Sequence, residues 1–438
     1  MKDTNSDSPA LKKVLIITYY WPPAGGPGVQ RWLKFAKYLP DFGIQPVVYT
    51  PENPTYPLLD SSLVKEVADH VIVVKNAIKE PYGFAGLLSK RGTKNLSSGI
   101  IPQQRKQTMI DKLLLWVRGN FFIPDARIGW VKPSVSFLEK YIAENNIDCI
   151  ITTGPPHSLH LIGMELKKRL PIRWIADFRD PWTTIGYHKE LKLSASARKK
   201  HQQLELDVLK QADQITVTSF STKVEFAAKT IKPITVITNG YDVEYLEKRE
   251  MDQAFTLAHI GSFLSHRNPR VLWKALSELR KENPEFKAAF QFKLIGKVSQ
   301  DILDALSEFK LDDCTVNMGY LSHEEALVQQ RVSQVLLLVE IDSEETKAII
   351  PGKLFEYMAA ERPILAIGPE GADFFRIIAE TNTGRTALYD EKDHIKEVLL
   401  DYFSKYQNNQ LKVLGMGLQY YSRKKLTEKL ASLVNENS

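Results

Sequence analysis

Cysteine is scarce: Cys149 and Cys314 are the only two among 438 residues. That excludes a disulfide framework and a cysteine-built zinc site, and it fits a reducing cytoplasm. No run of about 18 apolar residues occurs, so no segment reads as a bilayer span. The apolar run Val14–Ile17 is too short for a secretory signal core and leads straight into Tyr19, Tyr20 and Trp21. Repeats with a period of about 20–50 residues are missing. So are a Walker lysine, a metal-ligand cluster, a Cys–His pair and an acidic DxD, since Asp312-Asp313 is followed by Cys314. No catalytic metal or cofactor is expected from such a sequence.

What is present is an ordinary soluble composition, 43% hydrophobic and 25% charged. At about 150 residues per domain the length suggests two or three domains. The net charge of +6 is concentrated. Between positions 90 and 118, Lys90, Arg91, Lys94, Arg105, Lys106, Lys112 and Arg118 face only Asp111, a local excess equal to that of the whole chain. Such a patch suggests an anionic membrane surface, a phosphorylated lipid or nucleic acid. No nucleic-acid motif accompanies it, which argues against the last.

Short β-branched runs alternate with helical patterns. Strands are expected at 14–18, 46–50, 71–75, 147–152, 173–176, 214–218 and 234–237, then at 255–260, 292–295, 315–318, 335–339 and 364–367. Helical spacing lies between them, including 29–39, 159–168, 195–211, 269–281 and 353–360. This alternation predicts an α/β fold of two Rossmann-like, doubly wound parallel sheets facing a cleft. The polar stretch 244–253 marks the boundary, giving domains over 11–245 and 252–407. A tail over 408–438 has helical leucine spacing, weakened early by Gly415 and Gly417. Residues 82–130 break the alternation as a basic insertion with a leucine-rich helix around Trp116.

Ligands of such sheets sit at strand carboxyl ends, and six loops there carry candidate chemistry. Gly25, Gly26 and Gly28 precede a helix whose N-terminus can meet an anion, or they merely shape the turn. His157, in Pro155-Pro156-His157-Ser158, can bond a sugar hydroxyl or only local backbone. Asp177, Arg179, Asp180 and Trp182 follow the next strand. They can bind a polyol acceptor with Asp180 as a base, or simply pair internally to fix the loop. Gly261 and Arg267, with Lys297 on a neighbouring loop, outline a diphosphate site. Gly352, Lys353, Leu354 and Glu356 open a helix on which the lysine can meet phosphate and the carboxylate a ribose, or Glu356 can act as a first-turn cap.

The segment 353–368, KLFEYMAAERPILAIG, together with Arg267, the Gly25–Gly28 loop and Asn239-Gly240-Tyr241-Asp242, resembles GT-B glycosyltransferases of family 4. PPHS, DFRDPW and ITNGYD are similar to the subgroup that builds bacterial surface polysaccharides. The resemblance spans about 13–423. It implies a nucleotide-sugar donor held mainly by the C-terminal domain, metal-independent transfer with retention, and a C-terminal helix that crosses back to the N-terminal domain. It casts Glu356 as the ribose carboxylate and Arg267 with Lys297 as neutralisers of the leaving diphosphate. Gly25 and Gly26 would place backbone N–H groups near diphosphate or acceptor, and His157 would lie near the donor sugar. The family often carries a second glutamate eight positions earlier; here Ala348 stands there. The acceptor implied is a glycan or a polyprenyl-linked sugar. With it goes a cytoplasmic protein peripheral to the inner membrane, where Trp116 and the basic stretch 90–118 would meet the surface. A nucleotide-sugar epimerase of the UDP-N-acetylglucosamine 2-epimerase kind, or a non-catalytic module, would share the fold.

Overall fold

The computed structural model describes residues 11–78, 109–186, 188, 191–242 and 249–436. The chain divides into two compact units, 1–238 with 423–438, and 239–422.

Unit 1 is built on a seven-stranded parallel sheet. Its strands are β1 (Lys12–Ile17), β2 (Ile44–Pro51), β3 (Ile72–Asn76), β4 (Cys149–Gly154), β5 (Arg173–Phe178), β6 (Gln214–Val217) and β7 (Ile234–Val236). They lie in the order β3-β2-β1-β4-β5-β6-β7. The central strands are continuous apolar runs because helices cover both faces. Leu15, Ile17, Ile150 and Trp174 pack on one side, against Val135, Leu138 and Ile162. Val14, Ile16, Cys149 and Ile151 pack on the other, against Trp32, Leu33 and Ala36. Leu426, Leu430 and Val434 of the C-terminal helix join that second cluster. The order reverses between β1 and β4, so the carboxyl ends of these two strands flank the crevice where such sheets bind ligands.

Unit 2 has a six-stranded parallel sheet. Its strands are β8 (Phe255–Ile260), β9 (Phe290–Ile295), β10 (Thr315–Gly319), β11 (Val335–Val339), β12 (Ile364–Ile367) and β13 (Gly384–Ala387), ordered β10-β9-β8-β11-β12-β13. Here the reversal falls between β8 and β11. Phe255, Leu257, Leu294 and Leu337 meet Trp273, Leu276 and Leu399 in its core.

Three differences from the sequence expectations have physical causes. The 408–438 tail is not one helix: Gly417 takes φ 66°, and the helix is Arg423–Asn435. The helix Val131–Asn145 carries Pro133 in its first turn, where the missing N–H has no intrahelical acceptor to lose. β13 was hidden because GRTA lacks an apolar run. A Cβ on Gly384 would lie 2.1 Å from the Ile364 carbonyl oxygen, so close backbone approach defines that strand. Of the basic stretch 90–118, residues 90–108 lie outside the described residues, as do 244–248 of the expected boundary.

Candidate functional site

In unit 2, β8 is followed by Gly261, whose φ of 107° favours glycine. β9 is followed by Gly296, where a Cβ would lie 2.6 Å from the Gly261 carbonyl oxygen. Beyond β11 a turn leads to the helix Gly352–Ala359, entered through Pro351. Space around Gly352 is open: a Cβ there would meet no atom within 4 Å. Gly352 is exposed, and the first-turn N–H groups have no acceptor from a preceding helical turn. Leu354 is different, because its side chain is fully buried and its N–H donates to the Pro351 carbonyl. Tyr357 ties this helix to β8, its hydroxyl accepting from Ile260 N–H at 3.0 Å.

Lys353 reaches back to β8. Its Nζ donates to His259 Nε2 at 3.0 Å and contacts the Ile260 carbonyl at 3.4 Å. His259 is fully buried and stacked on Phe263, with ring centroids 3.9 Å apart. Burial first, then Lys353 and Arg267, hold that imidazole neutral. Burial and Arg267 likewise pull Lys353 down to about 8, while Glu340 and Glu356 oppose them. Arg267, in the turn Ser265–Arg267, forms a two-pronged pair with Glu340, Nε and Nη2 donating to Oε1 at 3.0 and 2.8 Å. Glu356 accepts from Gln330 Nε2 at 3.0 Å. The structure thus brings together Gly261, Arg267, Lys353 and the polar groups His259 and Glu340. Lys297 is exposed on the loop after β9. Sequence reading missed His259 and Glu340, although each sits at the carboxyl end of an apolar strand run, the position that signalled the others.

In unit 1, Gly26 caps the helix Pro27–Tyr38 with φ 104°, and the Gly25 N–H donates to the Leu58 carbonyl at 3.0 Å. Arg179 lies over Gly28, where a Cβ would sit 1.7 Å from its Nη1. Arg179 also bonds Asp180 through Nε and Nη2, both at 3.2 Å. Asp177 is committed elsewhere. Its Oδ1 accepts from Arg31 Nη2 at 2.9 Å and Thr216 Oγ1 at 2.7 Å, and its Oδ2 from Thr153 Oγ1 at 2.9 Å. Burial alone would raise the Asp177 carboxyl; Arg31 and the hydroxyls outweigh it, so the pKa lies below the ordinary value. Asp177 therefore belongs to the core, whereas Arg179 and Asp180 are partly accessible.

His157 is 4% exposed and stacks on Trp182, with centroids 4.9 Å apart and planes 3° from parallel. Neither of its ring nitrogens has a protein partner. Burial, with His160, His188, Arg179 and His201, keeps it neutral. Trp182 is buried too, its indole N–H donating to His201 Nδ1 at 3.2 Å. Glu205 fixes the same loop by accepting from Thr183 N–H and Oγ1, both at 3.0 Å. His160 is packing: its Nδ1 meets Thr152 Oγ1 at 2.8 Å, and burial pulls it to about 3.

The helix Met109–Phe121 presents Met109, Leu113, Trp116 and Phe121 to solvent, at 82%, 59%, 41% and 69% exposure. Its other end is anchored, with Asn120 Oδ1 accepting from Ser194 N–H at 2.8 Å. Among the described residues, no helix is long and apolar enough to cross a membrane. Nor does any group of three or more His, Cys, Asp or Glu side chains among them suit a metal ion.

Residues 100–245 match the sequence model of Glycosyltransferase Family 4. No curated protein matches the chain in sequence. Solved structures align over nearly its whole length. Sucrose-phosphate synthase from Thermosynechococcus elongatus is 14% identical with a TM-score of 0.58, covering 96% of this chain and 98% of its own. HepE from Anabaena, solved with UDP and glucose, is 12% identical with a TM-score of 0.58 and coverage of 97% and 100%. The lipopolysaccharide outer core galactosyltransferase WaaB is 13% identical with a TM-score of 0.56 and coverage of 97% and 100%. At these identities the likeness is one of fold.

Proposed function

We propose that this chain, a GT-B glycosyltransferase of the family 4 type, moves a sugar from a nucleoside-diphosphate sugar to a glycan or polyprenyl-linked acceptor. Retention of anomeric configuration and independence of metal belong to the same reading. The observation that carries it is the convergence of Lys353 and Arg267 on the strand ends where the sheet of unit 2 reverses. Two cations beside a helix N-terminus suit a diphosphate. As the glycosidic bond breaks, negative charge grows on the leaving oxygen, and preset cations stabilise it without moving a proton. Glu356, steadied by Gln330, is cast as the ribose acceptor. HepE was solved with UDP, which is consistent with a uridine donor here.

Unit 1 supplies the acceptor groups. Arg179 and Asp180 offer a donor and an acceptor of hydrogen bonds at the β5 carboxyl end. His157 holds two buried, unpartnered nitrogens on a rigid aromatic support and belongs to the same reading as a partner for a sugar hydroxyl. The exposed stripe Met109, Leu113 and Trp116 lies at i, i+4 and i+7, one helix face, and adjoins the basic sequence. That pairing favours docking on anionic lipid. Leu113→Glu with Trp116→Glu should abolish sedimentation with vesicles containing phosphatidylglycerol and leave nucleotide binding intact.

The test of the reaction is incubation with UDP- and GDP-sugars, chelator and lipid-linked acceptors, with the product anomer read by NMR. Transfer with retention supports the reading. Donor consumed without acceptor, to give an epimer, would favour the isomerase instead.

A further inference from the structure

Behind the two cations of unit 2 stands Glu340, immediately after β11. It is 2% exposed, whereas the Arg267 side chain is 25% exposed. Oε1 of Glu340 accepts from Nε and Nη2 of Arg267 and also from Ile341 N–H at 2.9 Å. Oε2 accepts from Nη2 at 3.2 Å. The Glu340 carbonyl is held in turn by the Tyr389 hydroxyl at 2.9 Å. The pair thus takes up the Nε/Nη2 edge of the guanidinium and leaves Nη1 outside it. Burying such a pair is weak evidence for a gain in stability, because desolvation offsets the attraction. Another role must account for it.

We propose that Glu340 is a positioning residue: it fixes one edge of Arg267 so that the other faces the leaving diphosphate, and its carboxylate offsets the repulsion between Arg267 and Lys353. This rests on reading Arg267 and Lys353 as the diphosphate site. The groups facing Lys353 are His259 from β8, Arg267 from the turn after it, Glu340 just beyond β11, and Glu356 on its own helix. His259 is held neutral and adds no charge. Arg267 repels the ammonium, and Glu340 is the first of the two carboxylates that counter it. Lys353 titrates near 8, so above that pH the diphosphate loses a cationic partner. Removing the Glu340 charge must move that loss to lower pH.

The experiment is calorimetric titration of UDP and GDP from about pH 6 to 9.5, with steady-state turnover. It compares wild type, Glu340→Gln, Glu340→Asp and Lys353→Ala. Glu340→Gln should shift the alkaline fall in affinity downward by about one pH unit. It should also cut turnover roughly tenfold or more as the bidentate hold on Arg267 weakens. Glu340→Asp keeps the charge but withdraws it by one methylene, so it should retain the wild-type alkaline limb and still lose turnover. If Glu340→Gln does not fold, Glu340→Asp alone decides, and turnover equal to wild type overturns the proposal. An unmoved alkaline limb in folded Glu340→Gln overturns it too. If Lys353→Ala weakens binding while Glu340→Gln matches wild type, only the role of Glu340 fails. If wild type binds neither nucleotide, or Lys353→Ala changes nothing, the donor-site reading fails and this proposal falls with it.

Discussion

Each unit contains an arginine–carboxylate pair, and the two pairs differ in what surrounds them. Arg31 and Asp177 in unit 1 are sealed, with side-chain exposures of 2% and 1%. Both oxygens of Asp177 are used, and Arg31 also donates to the Thr238 carbonyl at 2.8 Å. Arg267 and Glu340 in unit 2 are sealed on one side only, with the guanidinium a quarter exposed at the strand ends. The first pair lies within the core, where Nη1 and Nη2 of Arg31 and both oxygens of Asp177 are bonded, and it ties the first helix to β5. The second leaves a cation part-way into solvent, where an anion can reach it. The same chemistry serves as a structural tie in one place and, in the proposed donor site, would serve as a ligand contact in the other; accessibility rather than residue type separates them.

The sharpest way to break this contrast is Asp177→Ala. It strands Arg31 in the core and should cost about 3–5 kcal/mol in chemical denaturation. A stable variant that only loses activity would return Asp177 to the acceptor site. Acid should come next in size. His160 and His188 titrate near 3 and 4 in the fold against 6.5 unperturbed. The unfolded chain therefore takes up protons first as pH falls. Stability should be level above 6.5 and decline toward 4, lowering Tm by about 5–10 °C. His160→Gln should flatten that decline. Arg267→Lys keeps the charge and loses the fork, so kcat/KM should fall roughly tenfold while Tm moves little. A matching collapse of Tm would make Arg267 as structural as Arg31. Smallest is Trp182→Phe, which removes the bond to His201 and should cost about 1 kcal/mol.

Most of the fold was legible because buried parallel strands write themselves as apolar runs: VLLLV is β11 and ILAI is β12. β13 was not, because an edge strand with one buried residue leaves no such run. The candidate loops were legible through glycines and cations that follow strands. Their internal pairing was not. Nothing in DFRDPW tells that Arg179 takes Asp180 while Asp177 reaches 146 positions back to Arg31, since that choice is made by sheet order. Glu340 and His259 stood at strand ends, a position that marked them as candidates, but their pairing with Arg267 and Lys353 was not legible because it depends on what the neighbouring elements present.

The central claim is that the strand ends of unit 2 hold a nucleoside diphosphate. The most direct measurement is thermal unfolding of wild type and Glu356→Ala against UDP, GDP, ADP and CMP in the presence of chelator. A ligand at about a hundred times its Kd stabilises the fold by about 2.7 kcal/mol. The account predicts a clear rise in Tm with one diphosphate for wild type and a much smaller rise for Glu356→Ala. No rise with any nucleotide, or an equal rise in both proteins, would contradict it.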